Sequence, residues 1–202
     1  KWYENIPVFS YIFLKGKCSN CHKTISILYP LIEILTASVT LILFRNYWLN
    51  MELILTILLF YNLIVLSFID FKYRAVPDYL LIIAVIIALL IGDLKNILLF
   101  AGGFVLLELF ITFYIQNIKA KITKNKALES QAALGEGDIP IVAVIGGILG
   151  IHLGISAIFL AALLALLPAL YNLISKKEIE TAFIPFLSLG LFITLITEFN
   201  IF

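Results

Sequence analysis

Two aspartates, Asp70 and Asp138, stand at the edges of apolar segments in a chain with few charges. Asp70 lies in LSFIDFKYRAVPDYL, after one apolar run, and Asp138 lies in LGEGDIPIVAV, before another. Two facing carboxyl groups in a partly dry site do not both ionise easily, so one keeps its proton while the other is charged. The ionised group can take a proton from an attacking water, and the protonated group can hydrogen-bond the carbonyl oxygen and then protonate the leaving amine. The pair predicts aspartic-protease chemistry.

Glycines surround the second aspartate. Gly135 and Gly137 allow backbone conformations that are closed to other residues, and they leave space for an extended substrate beside Asp138. Gly146, Gly150 and Gly154 follow at four-residue spacing, which permits close approach of helices.

A simpler interpretation of both acids is structural. Asp138 could cap a helix at residues 139–151, with Pro140 in its first turn, and Asp70 could end a helix beside Lys72 and Arg74. The spacing of the residues alone does not separate this interpretation from the catalytic one. By the same logic, we expect Asp78 to be the N-cap of the helix that begins at residue 79.

The composition indicates which elements must position these residues. The chain of 202 residues is 62% hydrophobic and 13% charged, with a mean hydropathy of +1.09. Soluble domains are about half apolar and a quarter charged, so we expect an all-α, polytopic transmembrane helix bundle in a lipid bilayer. The net charge of +1 gives no indication of a nucleic-acid partner.

Seven apolar runs follow a mixed polar, aromatic and basic segment at residues 1–24. They lie at about 26–44, 52–69, 79–92, 97–118, 139–151, 153–174 and 182–199. A membrane-spanning helix needs about 20 residues, so the short third and fifth runs are expected to be tilted or sheltered inside the bundle. The boundary between the fifth and sixth runs is placed at His152.

Basic residues orient the predicted spans. Only Arg45 and Lys95 of the 14 basic residues lie on one side, and the rest, such as Lys72, Lys124 and Lys176, lie on the other. Lysine and arginine favour the cytoplasmic side, so residues 1–24 are expected to be cytoplasmic. Asp70 and Asp138 then share one depth at the cytoplasmic face, where acids are costly unless they face protein or water.

Cys18 and Cys21 form one C-x-x-C pair in the basic segment, which favours a metal-binding or structural role. They supply two of the four ligands that a structural zinc site needs. The alternative is a pair of free thiols, and we expect the neighbouring His22 to be a surface residue.

Four segments resemble type 4 prepilin peptidases, in order along nearly the whole chain. WYENIPVFSYIFLKGKCSNCHKTISILYPLIEILTA resembles their cytoplasmic module and following helix, and IDFKYRAVPDYL their first aspartate motif. GEGD resembles their G-x-G-D motif, and IPFLSLG their last-helix signature. The resemblance implies a bifunctional enzyme of the bacterial cytoplasmic membrane. Such enzymes remove the short basic leader of prepilins or pseudopilins and then N-methylate the new amino terminus with S-adenosylmethionine.

The resemblance also implies roles for single residues. Asp70 and Asp138 become the catalytic pair, and Gly135 and Gly137 belong to the active-site loop. Cys18 and Cys21 become half of a four-cysteine zinc site, completed by a pair that is expected, with a further transmembrane helix, before Lys1. We therefore divide the chain into a cytoplasmic module, residues 1–24, and a transmembrane aspartic peptidase bundle, residues 25–202.

Two departures from the family pattern leave alternatives open. Ile139-Pro140 follows G-x-G-D where many members have an aliphatic residue and lysine, and Leu187-Ser188 stands where the last signature usually has Gly-Pro. One alternative is a peptidase without methyltransferase activity, and another is a transporter or scaffold whose acids bind protons or a cation. Presenilin-like proteases share G-x-G-D but place their first aspartate in a different motif.

Overall fold

The computed structural model describes residues 4, 6–119, 135, 137–174 and 181–201, with the backbone alone at 118, 119 and 173. Within these ranges the chain is helical between its turns, and an antiparallel bridge joins Lys17 to Thr24. The predicted all-α class is confirmed. The chain divides into two compact units, Lys1–Ile57 and Leu58–Phe202. The functional division after residue 24 stays a prediction.

Among the described residues, seven α-helices account for the predicted apolar runs and for one short segment before them. They are α1 (Phe9–Phe13), α2 (Leu28–Asn46), α3 (Met51–Tyr73), α4 (Asp78–Ile91), α5 (Leu94–Phe113), α6 (Asp138–Ile174) and α7 (Ile184–Thr197). A π-helical turn, Tyr114–Lys119, extends α5. The fifth and sixth predicted runs both lie in α6.

Four helices in the described part of the chain are long and apolar enough to cross a membrane. They are Leu28–Asn46, Met51–Tyr73, Leu94–Asn117 and Asp138–Asn172. The helices α4 and α7 are apolar too, but each has only 14 residues. These lengths and compositions confirm a helical membrane protein, and the number of seven spans stays a prediction.

The long helix α6 is broken at Gly150, where φ is 74° and ψ is −170°. Only glycine adopts this backbone conformation readily. The two segments fold back on each other, because a Cβ at Gly154 would lie 3.5 Å from the Cα of Gly146. Along a continuous helix, eight residues would separate these positions by about 12 Å. The predicted boundary at His152 therefore lies at Gly150, and Gly146 and Gly154 make the predicted close approach.

The first segment of α6 lies at the centre of the second unit. Its side chains from Ile141 to Ile145 are buried. The chain between α4 and α5 is tied to it, because the backbone N–H of Asp93 donates to the carbonyl oxygen of Gly147 at 2.9 Å. A Cβ at Gly190 of α7 would overlap the carbonyl oxygen of Ala157, so α7 packs directly on the second segment. Neighbouring helices thus hold both segments of α6.

The start of α4 corrects one prediction. Asp78 is the first residue of the helix, and Pro77 occupies the N-cap position with φ −76° and ψ 130°. No side-chain hydrogen bond caps this end. The proline holds the chain extended before the helix, so Asp78 enters the first helical turn, where a carboxylate interacts favourably with the helix dipole. The prediction that Asp78 is the N-cap is wrong.

Candidate active site

Asp70 lies in the last turn of α3. The helix ends at Tyr73, and Arg74 then takes a left-handed conformation with φ 54°. The backbone N–H of Arg74 donates to the carbonyl oxygen of Asp70 at 2.9 Å, which closes the helix end. The side chain of Asp70 is only 8% exposed. The carboxyl group of Asp70 is therefore placed inside the protein by the way α3 ends.

Asp138 is the first residue of α6 and is also 8% exposed. Its backbone N–H donates to the carbonyl oxygen of Gly135 at 3.0 Å. The carboxyl groups of Asp70 and Asp138 lie close enough to interact electrostatically. The structure thus brings the two predicted acids together, one from the end of α3 and the other from the start of α6.

The two glycines before Asp138 line the same site. A Cβ at Gly135 would lie 3.2 Å from Oδ2 of Asp138, and a Cβ at Gly137 would lie 2.6 Å from Cγ2 of Val76. A side chain at position 137 would also contact Leu81 and Ile184. The absence of side chains at both positions keeps free space beside the acid and lets the turn approach an apolar wall.

The start of α7 is a part of the site that the sequence analysis missed. The backbone N–H of Ile184 donates to Oδ2 of Asp70 at 3.2 Å, in a buried position. One sequence signal could have indicated a helix start here, since Pro185 is of the type favoured in a first helical turn. The backbone N–H groups in the first turn of a helix have no hydrogen-bond partner within that helix, so they can donate to a carboxylate. The sequence does not indicate which acid they meet.

Two more contacts join α3 to α7 beside this hydrogen bond. The hydroxyl of Ser67 donates to the hydroxyl of Ser188 at 3.3 Å. The rings of Phe71 and Phe186 pack edge to face with their centroids 6.3 Å apart. The last turns of α3 and the first turns of α7 are therefore in contact on both sides of Asp70.

Cys18 and Cys21 lie in a tight turn of the first unit. The backbone N–H of Cys18 donates to the carbonyl oxygen of Lys23 at 2.9 Å, and that of His22 donates to the carbonyl oxygen of Cys18 at 3.0 Å. The backbone N–H groups of Cys21 and Asn20 hydrogen-bond the sulfur of Cys18 and lower the pKa of its thiol. His22 is exposed, as predicted.

The cysteine turn fits half of a metal site. Both thiols are free, and the backbone donors around Cys18 favour the thiolate form that binds metals. In the described part of the chain, no group of three or more His, Cys, Asp or Glu side chains could hold a metal ion. The turn supplies two ligands, whereas structural zinc takes four.

Glu108 is half-buried in α5. Glu33, in α2, accepts a hydrogen bond from the backbone N–H of Val8 at 2.7 Å. This contact ties α2 to the residue before α1, where Val8 has a φ of 63°. Neither glutamate belongs to the aspartate pair.

Two buried, interacting aspartates at the ends of apolar helices define a helical membrane protein with a buried acid pair. The chain belongs to the type IV leader peptidase family, whose model matches residues 57–170 and so includes both aspartates. A second model, the bacterial peptidase A24 N-terminal domain, matches residues 1–47.

Several bacterial proteins are similar to the chain over most of its length. A prepilin leader peptidase/N-methyltransferase of Neisseria gonorrhoeae is 31% identical over 181 residues, which cover 86% of this chain and 59% of that protein. One of Legionella pneumophila is 30% identical over 196 residues, covering 92% and 63%, respectively. One of Bacillus subtilis is 30% identical over 167 residues, covering 81% and 62%. The chain therefore spans about three fifths of the length of these relatives. No solved structure matches it.

Proposed function

We propose that the protein is a membrane-embedded aspartic endopeptidase that removes the leader peptide of type 4 prepilins or pseudopilins. The observation that carries the proposal is the pair of Asp70 and Asp138, which are both buried and interact electrostatically within the segment matched by the family model. Acids in such positions are costly, so they are functional candidates by default.

The chemistry needs one ionised and one protonated carboxyl group. The ionised group takes a proton from a water molecule as the water attacks the scissile carbonyl carbon. The protonated group hydrogen-bonds the carbonyl oxygen and then gives its proton to the departing amine. Because the groups act as a pair, their titration belongs to both of them together.

The surroundings of Asp138 suit an extended peptide. Gly135 and Gly137 carry no side chains into the space beside the carboxyl group, and Val76 and Leu81 form an apolar wall against Gly137. An extended segment can approach a backbone of this kind closely. The apolar helix of the prepilin would then lie against the membrane helices, with its leader on the cytoplasmic side.

We also propose that the cleaved amino terminus is N-methylated with S-adenosylmethionine as the methyl donor. This proposal is supported by the names of the relatives and by the match of residues 1–47 to the A24 N-terminal domain. Cys18 and Cys21 would hold half of a structural zinc site in the same part of the protein. The zinc ion, when bound, would brace the turn and would take no part in cleavage.

We place the protein in the bacterial cytoplasmic membrane, with the aspartate pair towards the cytoplasm. The uneven distribution of basic residues supports this orientation. Lys72 and Lys95, which the pattern of basic residues assigns to opposite sides, are both exposed. Lys124 and Lys176 lie outside the described residues.

The test is incubation of the full-length purified protein with candidate prepilins and measurement of the substrate mass before and after. Loss of the leader mass supports the peptidase, and a later gain of one methyl group supports methyl transfer. The Asp138→Asn variant is the matched control. Intact substrate after incubation of wild-type protein with every candidate prepilin would contradict the proposal. Cleavage without methylation would leave a peptidase alone.

A further inference from the structure

We propose that Ser188 is a positioning residue for leader cleavage. Its contact with Ser67 fixes the first turn of α7 against α3, and that turn holds the carboxylate of Asp70. This inference rests on the proposed peptidase function and adds a residue that touches neither the substrate nor the reacting atoms.

The spacing of these residues along the two helices carries the argument. Ser67 precedes Asp70 by three positions on α3, and Ser188 follows Ile184 by four positions on α7. Residues three or four apart share one face of a helix. The two contacts between the helices, Ser67 with Ser188 at 3.3 Å and Ile184 with Asp70 at 3.2 Å, are therefore one helical turn apart on the same interface.

The hydrogen bonds form a continuous path from α3 to α7 and back. Ser67 donates to the carbonyl oxygen of Leu63 in its own helix at 2.7 Å and shares the same proton with the hydroxyl of Ser188 at 3.3 Å. Ser188 donates to the carbonyl oxygen of Ile184 at 2.9 Å. The N–H of the same Ile184 donates to Oδ2 of Asp70. Since a hydroxyl has one proton, Ser188 can accept from Ser67 and still donate to Ile184. Both the backbone N–H and the carbonyl oxygen of Ile184 are thus hydrogen-bonded.

This path matters because the carboxylate must be placed accurately. The Ile184 N–H holds Oδ2, and the backbone of Phe183 also hydrogen-bonds the carboxyl group. A displacement of about 1 Å in a catalytic group can cost on the order of 100-fold in rate. Asp70 and Ile184 are buried and the two serines are half-buried, and hydrogen bonds away from water are electrostatically stronger than in water. Loss of the Ser188 hydroxyl should allow the first turn of α7 to shift relative to α3.

The experiment compares Ser188→Ala, Ser67→Ala, the double variant and Ser188→Thr in the full-length protein. For each, kcat and KM of prepilin cleavage and the thermal unfolding midpoint are measured in detergent. Thr197→Ala is the matched control, since Thr197 also lies on α7 and donates to a carbonyl of its own helix, that of Ile193 at 2.7 Å.

Each single alanine variant should lower kcat by about tenfold, the effect of one lost positioning hydrogen bond, and leave KM nearly unchanged. The double variant should be no slower than either single, because both remove the same contact. Ser188→Thr should recover most of kcat, and Thr197→Ala should cleave like the wild type.

Three results would overturn the inference. One is wild-type kcat in both single alanine variants. Another is a loss of kcat that follows the loss of thermal stability and is not recovered by threonine. A third is a double variant whose fold-loss of kcat equals the product of the fold-losses in the two single variants. If the wild-type protein itself leaves prepilins intact, the proposed peptidase function fails, and this inference fails with it.

Discussion

Oδ2 of Asp70 accepts a hydrogen bond from the backbone N–H of Ile184, a residue 114 positions later in the chain. The donor is a peptide group, so any residue except proline at position 184 could provide it. The next residue is Pro185, which has no N–H to give. The backbone of Phe183, one residue before Ile184, also hydrogen-bonds the carboxyl group, so Asp70 is held by the residues at the very start of α7.

Replacing either aspartate by asparagine should abolish cleavage. Asn has nearly the shape of Asp and can also occupy a helix end, so the substitution tests proton transfer more than folding. Asp70→Asn and Asp138→Asn should each lower kcat by about 100- to 10,000-fold. The double variant should be little worse than either single, because the groups act as a unit. Leader removal is measured with the variants matched for folded protein.

The control is Asp78→Asn. Asp78 lies nearby in the chain but is exposed in the first turn of α4, so the variant should retain activity. Near-normal cleavage by Asp138→Asn would contradict the mechanism, however well the motif matches.

A methyl group at position 137 should disturb the site through Val76. The added Cβ would lie 2.6 Å from Cγ2 of Val76, so Gly137→Ala should destabilise the protein by about 1–3 kcal/mol and lower cleavage. Val76→Ala removes that Cγ2 atom, and the double variant should recover part of both losses. Thermal unfolding and cleavage rates are measured for the three variants. Recovery of neither property would show that the contact with Val76 is not the cause.

The apolar runs and the acid pair could be predicted because a membrane restricts the chain. Each run must form a helix to satisfy its backbone, and alternate runs must cross in opposite directions. This places Asp70, after one run, on the same side as Asp138, before another. The sequence thus indicates which helix ends meet, and the structure brings these two acids together.

The finer contacts could not be predicted because α3 and α7 are apolar on nearly every face. Their pattern does not tell how far each helix turns about its own axis, so it does not predict that Ser67 meets Ser188. Two other differences have local causes. Pro77 takes the N-cap position expected for Asp78, and the reversal uses Gly150 because its φ of 74° and ψ of −170° suit glycine alone.

Gly150→Ala should destabilise the protein although there is room for the methyl group. The nearest atom to an added Cβ would be Nδ2 of Asn96, at 3.9 Å. The cost arises from the backbone conformation, and we expect it to be about 1–3 kcal/mol. The measurement is thermal unfolding in detergent.

Gly102→Ala is the matched control for Gly150→Ala. Gly102 is helical, and a Cβ there would meet no described atom within 4 Å. Alanine is favoured over glycine in a helix by about 0.5–1 kcal/mol, so this variant should be slightly more stable than the wild type. Equal unfolding midpoints for the two variants would argue against strain at Gly150.

The full-length protein should contain about one zinc ion per chain, if four cysteines form the site. Cys18→Ser should lose most of the zinc, because it removes one ligand of a tetrahedral set. His22→Ala should keep the metal, since His22 is exposed and is not expected to be a ligand. Elemental analysis of reduced protein measures this content. Protein that is free of metal after purification without chelator would contradict the proposed zinc site.

The proposed orientation predicts which residues an impermeant thiol reagent reaches from outside intact cells. In a background without cysteines, a cysteine at Lys95 should react, and one at Lys72 should be protected until the cells are opened. Both positions are exposed in the protein, so the membrane alone should decide the result. Labelling at Lys72 from outside would place the aspartate pair on the opposite face.

The turn at Gly150 has a consequence for the membrane thickness that the first half of α6 can cross. The helix from Asp138 to Gly150 rises only about 18 Å, whereas the hydrocarbon layer is about 30 Å thick. With Asp138 beside Asp70 at the inner surface, as in the proposed orientation, the turn would stop about 12 Å short of the outer surface of an undeformed bilayer. The lipid would then have to thin around the turn, or neighbouring helices would have to shelter it from the lipid.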